Sequence, residues 1–261
     1  MDANGADPRA HFVGKWRQRE PDMEFAEVFC PGEGKQQFQA WGALLHELRE
    51  TLFELSDSQV TAAKTGWWAE EMIGVGQGRQ RHPLTEVLLA AGADASTGAP
   101  WSQLGRALLD HDIDSPRADD TAHAVALLMP TASAVIAVEA TVFRAEVSAG
   151  AARSLAVHWL VQRLLRGRTS TDLARIPMHL FARHGVTPSQ LATGSADALV
   201  RDWGRELLQA MPADVAGAAL IRRSRYRFDR ARLARLAAGK GLAEPPAPLT
   251  LWHAWRAARS L

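Results

Sequence analysis

The segment VQRLLRGRTSTDLARIP, Val161 to Pro177, starts as an apolar helix and turns cationic, with Arg163, Arg166, Arg168 and Arg175 set against one carboxylate, Asp172. Guanidinium groups are planar multiple donors without an acceptor atom, and they match the oxygens of carboxylates, phosphates and diphosphates. The chemistry such a cluster supports is capture of an anion. A second polar set lies in HELRE, where His46 and Glu50 share a helical face and Glu47 stands beside them, a spacing able to hold a cation. The second histidine of H-E-x-x-H is missing, so no metal site is assigned and the set reads as a solvated acidic face. A third constellation places Trp67 and Trp68 with Lys64 and Glu71. It reads as core packing or as a wall for an apolar ligand.

Other motifs carry less. GVGQG, Gly74 to Gly78, follows a helical pattern rather than a strand and lacks the Gly-Lys-Ser/Thr of a phosphate loop, so it is a turn. No G-x-S-x-G elbow is present. His179 and His184 are five apart and do not share a helical face, which makes them loop or core-edge residues. In IRRSRYRFDRARLARL, Arg222, Arg225, Asp229, Arg232 and Arg235 alternate with Tyr226, Phe228, Leu233 and Leu236. The pattern predicts an exposed charged face whose arginine stems cover apolar neighbours.

These residues must be positioned by helices. Apolar positions recur three and four apart, glycine and proline divide the chain into helical lengths, and alternating β-branched runs are nearly missing. Helices are predicted over Phe12–Arg19, Glu24–Phe29, a run from Phe38 to Leu55, and one capped by Ser56 or Asp57 that carries Trp67 and Trp68. Shorter ones follow over Leu84–Ala91 and Trp101–Asp110, then an acidic surface loop, DHDIDSPRADD. Two long Ala-rich helices come next, over Asp120–Val147 and Ala151–Arg166. MHLFARHGVTPSQL is a turn, Asp197–Met211 and Asp214–Leu236 are helices, and LTLWHAWRAARSL closes the chain. No repeat or long linker divides it, so the expected architecture is all-α and single-domain.

At 261 residues and 47% hydrophobic composition the chain buries a substantial core. Lys+Arg 30 against Asp+Glu 29 gives a formal charge of +1, which does not call for nucleic acid as a partner. Cys30 is the single cysteine, a packing residue that fits a reducing, cytoplasmic setting. The N-terminus lacks the pattern of a secretory signal. AVALLMPTASAVIAVEATVF is interrupted by Pro130 and Glu139 and bordered by His123 and Arg144, which predicts a buried helix rather than a membrane span.

Three stretches together resemble the squalene/phytoene synthase family, all-α enzymes that join two prenyl diphosphates. They are ELSDSQVTAAKTGWWAEEMIGVGQGRQRHPLTEVL over Glu54–Leu88, ARIPMHLFARHGVTPSQL over Ala174–Leu191, and the two long Ala-rich helices between them. The resemblance runs from about Phe25 to about Met211, with C-terminal helices over 212–261. It implies an isoprenoid-synthase-like helical bundle with a central cavity, and two aspartate-rich helix faces whose carboxylates hold Mg²⁺ on diphosphate oxygens. Carried over, the first motif falls on HELRETLF, with its aspartates at Arg49, Glu50 and Phe53; only Glu50 is acidic. The second falls on the opening segment, with Arg163 at an Asn, Arg166 at an Arg, Gly167 and Thr171 at the two aspartates, and Asp172 one residue out of phase. The chain therefore resembles a divergent branch without the aspartates.

Arginines in place of carboxylates repel cations, and holding a diphosphate does not by itself lower the barrier to ionisation. The expectation is a protein without Mg-dependent condensation and without a cofactor, which binds an isoprenoid diphosphate or anionic lipid through Arg49, Trp67, Trp68, Arg163, Arg166, Arg168 and Arg175, or docks a protein partner. The alternative is an active prenyltransferase with a rebuilt, Mg-dependent site using Glu47, Glu50, Asp172 and the arginines. A third reading places peripheral membrane contact on the Arg222–Arg235 helix. Arginine-over-lysine and alanine-rich usage points to a high-GC bacterium.

Overall fold

The computed structural model describes residues 7–90, 98–111, 117–166, 175–192 and 196–259. They form thirteen α-helices and one 3-10 turn, Gly32–Gly34. The first five helices are α1 (Pro8–Arg19), α2 (Met23–Glu27), α3 (Lys35–Phe53), α4 (Ser58–Val75) and α5 (Pro83–Ala90). Next come α6 (Gly98–Leu109), α7 (Thr121–Phe143) and α8 (Ala149–Arg166). The chain continues with α9 (Met178–His184), α10 (Pro188–Ala192), α11 (Asp197–Ala210), α12 (Leu220–Ala237) and α13 (Ala247–Arg259). No strand occurs among the described residues.

Local chemistry sets the boundaries. Asp7, Asp57 and Asp120 cap α1, α4 and α7 by accepting hydrogen bonds from backbone amides of the first turn, which satisfies donors a helix start leaves open. Arg144, at φ 51°, ends α7 in the left-handed conformation, and Gly185, at φ 59°, ends α9. MHLFARHGVTPSQL is thus not a simple turn; it holds the short helices α9 and α10. Leu220 starts α12 six residues later than the pattern predicts, because 212–219 is turn.

Packing follows from small residues at the crossings. A Cβ on Gly105 of α6 would stand 2.7 Å from the Ala69 carbonyl oxygen of α4, so α4 and α6 meet backbone to backbone there. A Cβ on Gly42 would collide with the Trp16 ring at 2.4 Å, and the glycine is what lets Trp16 of α1 sink onto α3. Helix α7 is long and apolar enough to cross a membrane, but it packs against α6, α8 and α11. Its Glu139 is buried and accepts from Trp41 Nε1 at 2.9 Å and Arg222 at 2.7 Å, as expected for a core helix with a satisfied carboxylate.

The prediction for α12 is corrected. Arg222, Arg225, Asp229 and Arg232 are buried, not solvated, and Arg235 is partly buried. Each buried charge has a partner from another element: Arg222 has Glu139, Arg225 has Glu20 and Asp22, Arg232 has Asp22 and Glu244, and Asp229 has His158. Alternating charged and apolar residues describe a helix enclosed on nearly every side, with the charges neutralised inside.

Candidate functional site

The ends of α3, α6, α7 and α8 leave a cleft of about 600 Å³. Its apolar wall includes Leu52 and Phe53 from α3, Leu127 and Leu128 from α7, and Leu160 from α8. Among the described residues its polar wall carries four arginines, Arg106, Arg117, Arg163 and Arg175, with His111, His123 and one carboxylate, Asp110. Pro130 also lines it. A proline lacks an amide proton, so the Ala126 carbonyl one turn earlier, on the same wall, loses its intrahelical donor.

Charge is concentrated at one end of this cleft. The Arg163 guanidinium sits 5.0 Å over the Phe53 ring, a cation–π arrangement. Burial first, and then the Arg175 and Arg117 charges, bring its pKa down to about 9, with Glu54 pulling the other way. It remains a cation at neutral pH with two other guanidinium charges near it. Arg117 donates to the Ile176 carbonyl at 3.1 Å and lies over Phe181 at 5.4 Å, which fixes the wall from the α9 side. Arg175 adopts φ 48°, a left-handed backbone uncommon outside glycine.

A second, nearly closed site lies beside the cleft. Only about 20 Å³ is free there, between Trp16, Met23, Trp159 and the polar side chains of Glu20, Arg49 and Arg225. Glu20 accepts from both Arg49 and Arg225, and Asp22 accepts from Arg225 at 3.0 Å. Burial alone would raise the Glu20 carboxyl, but the charges of Arg225 and Arg49 outweigh it and hold it well below the ordinary carboxylate range. His158 bonds Asp229 through Nδ1 at 2.9 Å, and its pKa is lowered because burial exceeds the pull of Asp229. This ion-paired cluster fills the space beside the cleft, which is an open cavity of the bundle.

The residues singled out in the sequence separate into four places. Arg163 and Arg175 line the cleft together. Arg166 ends α8 with its side chain outside the described set, and Arg168 and Asp172 lie outside the described residues. Arg49 is 2% exposed and turned into the central cluster, where it contacts Glu20, Glu54 and His46. Trp67 and Trp68 meet edge to face at 4.9 Å, and both contact the His82 ring, Trp67 edge-on at 5.9 Å and Trp68 tilted at 4.9 Å. Beneath them buried Glu71 accepts from the Arg81 and His82 amides and from Thr85. The tryptophan pair thus clamps the turn between α4 and α5; it does not line the cleft.

His46, Glu47 and Glu50 do bring their potential ligand atoms within 4.8 Å of one another, so the acidic face is not simply solvated. Lys15 of α1 lies 3.4 Å from Glu47 and 4.0 Å from Glu50, and His46 Nδ1 is 2.9 Å from an Arg49 nitrogen. Burial first, and then the Arg49 charge, push the His46 ring down to about 4. Cations of the protein already occupy this group's surroundings. Arg49 and Phe53, at two of the first motif's carboxylate positions, offer no oxygen to Mg²⁺, so the described motif positions do not fit a metal cluster.

Sequence reading missed Arg106, Arg117, His111 and His123 of the cleft, and Glu20, Asp22 and His158 of the centre. His179 and His184, read as loop or core-edge residues, pair with Glu206 and Asp202, each at 2.9 Å. The available signal was in α12: four arginines at helical spacing with apolar residues on every intervening face require buried carboxylates elsewhere in the chain.

No family model matches the chain, and no curated protein matches it in sequence. Among solved structures it is similar to a dehydrosqualene synthase in complex with ligand, with a TM-score of 0.58 and 12% identity over 97% of each chain. At that identity the likeness establishes the fold: an all-α bundle of the squalene/phytoene-synthase type.

Proposed function

We propose that this chain binds an amphipathic anion, an isoprenoid diphosphate or a lipid of the same chemistry, in the cleft, and that it does not carry out Mg-dependent prenyl condensation. The observation that carries the reading is the pairing of Arg163 with Phe53. Both fall where the resemblance places residues of the two diphosphate motifs, and here a cation and an aromatic ring face each other. The anionic head lies against Arg163, Arg175 and Arg117, and the apolar tail lies along Leu52, Leu128 and Leu160. The likeness to a synthase solved with a ligand supports a ligand-binding role, and the substitution of charge argues against the reaction.

The test is titration of the protein with farnesyl and geranylgeranyl diphosphate, with Mg²⁺ and again with EDTA, while released diphosphate is measured. Binding that is indifferent to EDTA, with no release, is the expected result. Efficient Mg-dependent release would overturn the proposal.

The second reading, an active prenyltransferase with a rebuilt site, draws on the convergence of His46, Glu47 and Glu50. It requires that Glu50→Gln abolish diphosphate release.

A further inference from the structure

Helix α13 packs through its small residues and presents its large ones to solvent. Thr250, Ala254 and Ala257 are buried, whereas Leu249, Leu251, Trp252 and Trp255 are 40–44% exposed. At 100° per residue these four, with Arg256 and Arg259, fall on one face. Eleven large apolar side chains are exposed among the described residues, and four of them are on this single helix of 13 residues. Scattered exposed apolar residues are ordinary, but a concentration of this kind marks a contact surface.

The charge on this face decides the occupant. Arg256 lies over the Trp252 ring at 4.9 Å and Arg259 over the Trp255 ring at 4.7 Å. From Pro245 to Leu261 the sequence holds no Asp or Glu. Arg223 of the neighbouring α12 donates to the Ala257 carbonyl at 2.9 Å, bringing a third guanidinium to the C-terminal end of α13. Indole rings paired with arginines and flanked by leucines, in a segment whose sequence has no Asp or Glu, match the zone between lipid headgroups and acyl chains. There the rings and leucines enter the apolar boundary and the guanidinium groups meet lipid phosphates. An acidic protein surface would satisfy the arginines but not two tryptophans and two leucines without a matching apolar groove.

We infer that the Leu249, Leu251, Trp252, Trp255, Arg256 and Arg259 face of α13 docks the protein on an anionic bilayer. This places membrane contact on α13 rather than on α12, whose Arg222, Arg225 and Arg232 are buried in ion pairs. It stands independently of what the cleft binds.

The experiment is flotation of the full chain with vesicles of phosphatidylcholine alone and of phosphatidylcholine with phosphatidylglycerol in equal parts, at 50 and 500 mM NaCl. The expected result is flotation with the anionic vesicles at low salt, weakened at least tenfold by high salt or by removal of the anionic lipid. Trp252→Ala with Trp255→Ala should weaken it at least tenfold. Arg256→Gln with Arg259→Gln should do the same, at about one factor of five for each charge. Trp252→Phe with Trp255→Phe keeps the packing bulk and should retain most of the binding, which guards against misfolding as the cause of a loss. Failure of the wild-type protein to float, equal flotation of the alanine pair and the wild type, or capture by acidic polypeptide but not by vesicles would each overturn the inference.

Discussion

The Arg163 guanidinium lies 5.0 Å over the centre of the Phe53 ring, joining the C-terminal turns of α8 and α3 at one end of the cleft. An aromatic face favours a cation and an Mg²⁺ site requires oxygen, so under the proposed function this contact sets what the cleft recognises. Arg163→Gln is expected to weaken diphosphate binding about tenfold or more, the scale of one lost charged hydrogen bond. Phe53→Leu, which removes only the ring face, should cost about 0.5–1 kcal/mol of binding. Isothermal titration of both variants checks the order.

The central cluster predicts a large effect from a small change. Glu20→Gln leaves Arg49 and Arg225 buried beside a neutral amide, and loss of one partner in a buried pair costs about 3–5 kcal/mol. Urea denaturation should show a loss of unfolding free energy of that size, whereas Glu70→Gln on the exposed face of α4 should leave it nearly unchanged.

Stability should fall with acid in two stages. His46 is held neutral by burial and Arg49, with a folded value of about 4 against an ordinary 6.5, so the unfolded chain takes up a proton the folded chain refuses. Stability tied to the neutral ring is intact above pH 6.5 and is lost as pH falls towards 4, amounting to about 3 kcal/mol. His158 shifts in the same direction. Glu20 adds a second stage: its lowered carboxyl contributes stability above the ordinary 4.5, lost as pH falls further. Denaturation midpoints measured from pH 8 to pH 3 should decline in this order, and His46→Phe should flatten the first stage.

Restoring the aspartate pattern should not restore a synthase. Arg49→Asp with Phe53→Asp places carboxylates at two motif positions but removes a buried cationic partner from Glu20 and Glu54 and sets a new carboxylate beside them. The expected outcome is a protein destabilised by more than about 3 kcal/mol, read by thermal unfolding, with no gain of Mg-dependent diphosphate release.

Helix positions and the all-α class were legible because apolar periodicity and capping residues are local signals. Asp57 and Asp120 sit where a helix start needs an acceptor, and both cap. What the helices do with their charges was not local. Arg225 answers carboxylates 203 and 205 residues away, and no window of sequence contains both sides of that bond. The cleft was half legible: the cationic run from Val161 to Pro177 pointed to Arg163 and Arg175, while Arg106 sits in an ordinary helical pattern and Arg117 in a stretch whose acidic character read as surface loop. Arg49 was drawn towards the anion site by its motif position. Its true surroundings follow from Glu20 and Glu54, which the motif comparison does not include.

The same bond between the beginning and the end of the chain bears on how the protein is made. Glu20 and Asp22 leave the ribosome about two hundred residues before Arg225 does, an interval on the order of ten to forty seconds at ordinary elongation rates. Until then the first helices carry carboxylates whose final neighbours do not yet exist, and they stay hydrated rather than enclosed. Closure of this site therefore awaits synthesis of α12, and a nascent chain released before α12 is complete has no means of drying the surroundings of Glu20 and Asp22.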